Sequence, residues 1–190
     1  MRDFLIDTNM WLYWFDPQKY PQQHAKFKKR LEELPPEAKI GISVITWGEI
    51  AVGLRENTKQ ESYIQAEHLQ FIKAKKPWVV DIRTYTAEEY GKLRGRLRTN
   101  ALKRKKGLSA DDLVDRFTWL ELGSLENDLW IAAQAITRNL TLVTNDKLSR
   151  IREVAGDDLH VENWTTCALS FFIIGLPDRL CCALIFRFHF

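Results

Sequence analysis

Five short apolar runs constrain this fold more than any other feature: FLI at 4–6, IGISVI at 40–45, WVVDI at 78–82, LTLV at 140–143 and LHV at 159–161. Each is the length of a buried strand, and none is joined to the next by a tight hairpin turn. The stretches between them are helical. Residues 10–15 open helically and stop at Asp16-Pro17, and residues 24–34 set Ala25, Phe27 (or Lys28) and Leu31 near one face before Pro35-Pro36 ends the run. Further helices are predicted from Thr46 to about Leu54, over 60–75, from Thr86 to about Leu102, and over 125–138 with Asn139 as the C-terminal stop. Strands alternating with helices predict an α/β domain with a parallel sheet covered on both faces. Residues 103–122 are the least regular stretch and read as an insertion.

A chain of 190 residues suits one domain with a sizeable core. Its three cysteines, Cys167, Cys181 and Cys182, show neither a disulfide framework nor zinc-ligand spacing. Arg2 and Asp3 precede too few apolar residues for a signal peptide, and no apolar run is long enough to span a bilayer. A reducing, cytoplasmic setting away from membranes is expected. The formal charge of +3 is uneven: eight bases and no acid lie between Lys92 and Lys106, which leaves the remainder at −5. An acidic body with one basic strip suits a protein that holds cations in one place and a polyanion in another.

In an open α/β sheet, ligands bind beyond the carboxyl ends of the strands. Asp7-Thr8-Asn9 follows the first strand, Thr46-Trp47-Gly48-Glu49 the second, and Thr144-Asn145-Asp146 the strand at 140–143, while Glu126-Asn127-Asp128 opens the helix before it. Each has a purely structural reading. Asp7 or Asn9 can cap a helix, Thr46-x-x-Glu49 has the form of a capping box, and Asn127, Asp128, Asn145 and Asp146 are all competent caps. Capping, however, is served as well by Ser, Thr or Asn, and four acidic sites exceed what it requires. Carboxylates gathered in one crevice repel each other, and a hard divalent cation relieves the repulsion. Without histidine in these motifs zinc is disfavoured. Such a site supports phosphodiester hydrolysis.

The ordered set Ile6-Asp7-Thr8-Asn9, Thr46-x-x-Glu49, Asn127-Asp128-Leu129-Trp130-Ile131-Ala132-Ala133, Leu142-Val143-Thr144-Asn145-Asp146 and Val161-Glu162-Asn163-Trp164 resembles the PIN-domain ribonucleases, and within them the VapC toxins of bacterial toxin–antitoxin pairs. The likeness covers roughly residues 1–164. It implies a three-layer α/β/α fold with a central, mainly parallel sheet. By position it makes Asp7, Glu49, Asp128 and Asp146 the catalytic acids around Mg²⁺ or Mn²⁺, with Asp7 and Asp128 as the principal metal ligands. Thr8, Asn9 and Thr144 would orient carboxylates or bound water, and Glu126 is an outlying candidate. It further implies cleavage of structured RNA such as tRNA, and a cognate antitoxin partner. RNA affinity is expected from Arg94, Arg96, Arg98, Lys103, Arg104, Lys105 and Lys106.

Two regions depart from that pattern: the stretch 103–122 is longer than usual, and the apolar tail 165–190 lies outside it, open to roles as a partner contact, a homodimer segment or an extension without function. His24, His68, His160 and His189 are scattered, and none is assigned to catalysis. Other functions fit less well. A haloacid-dehalogenase phosphatase needs a second acid where Asn9 stands, and a receiver domain needs a lone acceptor aspartate, for which Asp81 is the sole mid-chain candidate. A non-toxin RNA-processing PIN nuclease and a catalytically inactive RNA-binding module remain as alternatives.

Overall fold

Successive residues of the first strand bury in opposite directions, and this alternation builds the molecule. The computed structural model describes residues 2–56, 59–104 and 126–166. Five strands, β1 (Phe4–Ile6), β2 (Ile40–Ser43), β3 (Trp78–Val80), β4 (Thr141–Val143) and β5 (His160–Glu162), pair in parallel in the order β3-β2-β1-β4-β5. The connecting helices are α1 (Thr8–Phe15), α2 (Pro21–Glu32), α3 (Val44–Glu56), α4 (Lys59–Lys75), α5 (Thr84–Arg104), α6 (Glu126–Thr137) and α7 (Ser149–Ala155). Phe4, Ile6, Ile42 and Val143 join Met10, Trp11, Phe27, Ile50 and Ile72 of α1 to α4 in one core. Leu5, Val80 and Leu142 join Leu93, Leu97, Leu129, Ala132 and Ile151 of α5 to α7 in the other. Two strand residues apart means the same face, and one apart means the opposite face. The result is the expected α/β/α sandwich, with every strand pair parallel.

The chain steps from β1 outward to β2 and β3, then returns to the far side of β1 for β4. The order therefore reverses between β1 and β4, where open sheets part their loops into a crevice. Register aligns the ends: Ile6 stands opposite both Ile42 and Val143. Asp7 and Thr144 consequently leave the sheet side by side.

Local chemistry sets several boundaries differently from the sequence reading. β2 ends two residues early because the Ser43 hydroxyl accepts the Ile45 amide at 2.9 Å and starts α3 at Val44. Thr46 thus lies within the helix, buried, its hydroxyl without a hydrogen-bond partner among the described residues, and the capping box with Glu49 does not form. Neither Asn145 nor Asp146 caps α7, whose N-terminal flank is Leu148 in the left-handed region at φ 47°. Asn139 does stop α6: at φ 53° it lets Leu140 N–H reach the Ala135 carbonyl and its own N–H reach Ile136. The stretch 105–125 and the tail 167–190 lie outside the described residues.

Fully buried Gln134 on α6 accepts from the Ser43 hydroxyl at 2.5 Å and donates to the Val80 carbonyl at 2.9 Å. One side chain therefore ties α6 to two strands. Gln134→Leu takes the acceptor from the Ser43 hydroxyl and this donor from the Val80 carbonyl, both in the core, and is expected to cost about 2–3 kcal/mol in chemical denaturation.

Candidate active site

The crevice at the β1/β4 reversal collects the acids. Asp7 occupies the N-cap position of α1 and is only 5% exposed. Its Oδ1 accepts the Thr8 backbone N–H at 2.7 Å, and its Oδ2 accepts the Thr144 hydroxyl at 2.6 Å and the Asn9 side-chain Nδ2 at 3.2 Å. A side chain serving only as a cap would reach the second or third helical N–H. This one is fastened across to the end of β4 instead. Asn9 is the hinge of the arrangement, since its Nδ2 also donates to Asp146 at 2.9 Å and its Oδ1 accepts the Asn145 amide at 3.2 Å.

Glu49 arrives from α3, where it accepts from the Thr8 hydroxyl and, at 2.7 Å, from Asn127 Nδ2. Asp128 arrives from the first turn of α6. That helix runs back toward the start of β4, so its N-terminus stands at the carboxyl edge of the sheet. Among the described residues, Asp128 has no hydrogen-bond or ion-pair partner. Thus Asp7, Glu49, Asp128 and Asp146 share one crevice, with Thr8, Asn9 and Thr144 threaded between them.

Mutual repulsion registers in the titration of two of them. Burial pushes Asp7 above the usual carboxylate range, the Thr144 and Thr8 hydrogen bonds pull against this, and the charges of Asp146 and Glu49 add to it. Asp128 is pushed up to about 7, by burial first and then by Asp7, Asp146 and Glu49. Among the described residues, no three carboxylate, imidazole or thiol groups close into a cluster that encloses an ion as they stand. The neutral donors Thr8, Asn9 and Asn127 hold the carboxylates apart.

Several participants were not assigned site roles from the sequence. Asn127 was read as a cap and proves to be Glu49's partner. Asn145 bonds to the Tyr13 hydroxyl at 3.2 Å and accepts from Asn163 at 3.0 Å and Thr165 at 2.9 Å, which braces the acidic loop against the end of β5. For Asn127 and Asn145 the one signal was an amide side chain next to an acid, at a helix start or just after a strand end. The basic strip divides. Arg94 Nη1 lies 3.0 Å from both carboxylate oxygens of Glu126, and Arg96 donates to the Val154 carbonyl at 3.1 Å. The side chains of Lys103, Arg104, Lys105 and Lys106 lie outside the described residues.

Asp128 fixes the sign of a pH effect. Its folded pKa of about 7 exceeds the ordinary 3.8, so the folded protein keeps a proton that the unfolded chain has released. Stability without metal therefore falls as pH rises from about 4 to about 7. For a half-buried group, solvent screening leaves about 1–2 kcal/mol. In EDTA at pH 7.5, Asp128→Asn is expected to raise the melting temperature by about 3–6 °C. The gain should shrink toward pH 4, as scanning calorimetry across pH will show.

Comparison with known proteins agrees with the geometry. The PIN-domain family profile matches residues 4–157. A chain of the VapBC2 complex from Rickettsia felis, solved bound to a DNA fragment from its promoter, is 28% identical, with a TM-score of 0.55, covering 85% of this chain and 98% of that one. A chain of VapBC-1 from nontypeable Haemophilus influenzae is 22% identical (TM-score 0.55; 86% and 98% covered). A chain of FitAcB from Neisseria gonorrhoeae is also 22% identical (TM-score 0.53; 85% and 97% covered), and these last two speak to the fold alone. A search of curated proteins gave no significant match. With the matched region spanning most of its length and the acids gathered at the sheet's reversal point, this chain belongs to the PIN-domain family.

Proposed function

We propose that this PIN-domain nuclease is a divalent-metal-dependent endoribonuclease, the toxin of a toxin–antitoxin pair, acting on tRNA or another structured RNA. The observation that carries the reading is the convergence of Asp7, Glu49, Asp128 and Asp146 in one crevice, where burial first and then the charges of the other three acids push Asp128 up to about 7. Carboxylates gathered this closely ionise together only with a countercharge beside them. The all-oxygen donor set suits Mg²⁺ or Mn²⁺, and Mg²⁺ is commonly held by one or two carboxylates with waters and substrate phosphate completing its shell. A three-carboxylate cage is therefore not required. Asp7 and Asp128 would hold the ion, with Glu49 and Asp146 beside them. When bound, the ion supplies Lewis-acid stabilisation of the charge that builds on the phosphate oxygens.

The chain's own groups set the geometry. Thr144 and Asn9 fix the rotation of the Asp7 carboxylate, and Thr8 and Asn127 fix Glu49. Arg98 and residues 103–106 of the basic strip would bind phosphates and give affinity without sequence readout.

Purified protein is expected to cut RNA with Mg²⁺ or Mn²⁺ and to stop in EDTA. Asn caps a helix about as well as Asp. Asp7→Asn should therefore fold normally yet lose at least a hundredfold in cleavage rate on gels of end-labelled RNA. Wild-type turnover by that variant would return Asp7 to a capping role, and full activity in EDTA would remove the metal.

The antitoxin proposal rests on the likeness to the VapBC2 chain and on exposed apolar side chains at Leu12, Val52 and Ile64 of α1, α3 and α4. Expression alone in a bacterial host is expected to arrest growth, and co-expression of the small gene beside it to restore growth. Unimpaired growth at high levels of active protein would count against a toxin.

A further inference from the structure

We infer that Tyr90, Arg94 and Glu126 form a clamp that sets where Asp128 stands, which makes Arg94 a positioning residue of the nuclease site instead of an RNA contact; the inference rests on the nuclease reading above. Asp128 sits on the first turn of α6 and has no partner of its own among the described residues, although Asn127 beside it ties the turn to Glu49 at 2.7 Å. Glu126, two residues earlier, has several. Arg94 Nη1 reaches both of its oxygens at 3.0 Å, the Tyr90 hydroxyl donates to the same carboxylate, and Arg94 donates to the Tyr90 hydroxyl.

Helical spacing turns these contacts into a device. Tyr90 and Arg94 are four residues apart on α5 and present one face. Glu126 and Trp130 are four apart on α6 and form the face that meets them. The Tyr90 ring lies on the Trp130 ring, with centroids 3.9 Å apart and planes 5° from parallel. Buried Leu93 and Leu97 fix α5 against the core, so the presenting face does not swing. Asp128 is two residues from both Glu126 and Trp130, hence on the opposite side of α6. Gripping one face of the turn points Asp128 at Asp7, Glu49 and Asp146. Arg94 and Glu126 are both partly exposed, with side chains 42% and 34% accessible. Ion pairs of that kind add little to stability, so variants should fold. The same pairing occupies the Arg94 cation that the strip would otherwise offer to phosphate.

The test measures single-turnover cleavage at saturating RNA, and RNA affinity in EDTA by fluorescence anisotropy, on the full chain. Arg94→Gln is expected to slow cleavage at least tenfold with affinity within twofold of wild type. Glu126→Gln should do the same, and the double variant should be no slower than the slower single, because the pair acts as one device. Arg94→Lys should recover part of the rate. Lys92→Gln makes the same charge change on the same helix and should leave the rate unaltered. Weakened RNA binding at an unchanged saturated rate in Arg94→Gln, or losses that add in the double variant, would overturn the clamp. If wild-type protein cuts no RNA, the nuclease reading fails, and the clamp is judged from Mn²⁺ affinity by calorimetry. An affinity weakened severalfold by Arg94→Gln but not by Lys92→Gln supports it, and equal affinities overturn it.

Discussion

Parallel pairing of β1 with β4 is the constraint on which the rest of the structure hangs. It sets Ile6 beside Val143 and carries the ladder one step further, with the Asp7 amide donating to the Val143 carbonyl at 3.0 Å. Two loops more than 130 residues apart in the chain then share a wall, and the Thr144 hydroxyl can reach the Asp7 carboxylate. An almost wholly buried carboxylate is costly unless donors meet it. Thr8 and Thr144 supply them at short range, with Asn9 behind. The pairing that builds the middle of the sheet is thus also the one that makes Asp7 tolerable where it is.

The crevice balances two opposed demands. The reversal of the sheet brings four carboxylates to one crevice, yet the fold must survive their burial and mutual repulsion. Neutral donors manage the conflict by holding each acid to a neighbour that is not an acid: Glu49 to Thr8 and Asn127, and Asp146 to Asn9. Asp128 is left outside this scheme, and burial first, then the charges of Asp7, Asp146 and Glu49, raise its titration. Carboxylates perturbed in this way tend to cluster at functional sites.

Helix packing provides the frame for that balance. The buried bridge of Gln134 to Ser43 and Val80 fixes the middle of α6 over the sheet, and the Asn139 stop fixes its end. The N-terminal turn, which carries Asp128, is held from α5 through Glu126. Three different kinds of contact thus locate one helix: one buried in its middle, one at its exposed end, and one beside the acids.

Much of this was legible in the residues. Runs such as FLI and LTLV can bury both faces, helical spacing around Phe27 and Leu129 announces the layers, and Asn139 is one of the few residues that tolerate the left-handed turn a helix end requires. The four acids could be picked out because each follows a strand or opens a helix, and strand ends share an edge in any parallel sheet. What the residues could not disclose was pairing across the chain. Thr46-x-x-Glu49 has the form of a capping box, but the Ser43 hydroxyl reached the amide of Ile45 first, moved the helix start and released Glu49 to Thr8 and Asn127. Arg94 reads as one more base in a basic run until α5 and α6 pack and bring Glu126 beneath it. Periodicity and cap chemistry are local and written in order along the chain. Which donor meets which acid depends on distances that exist only after the helices have docked, and there the tertiary structure alone decided.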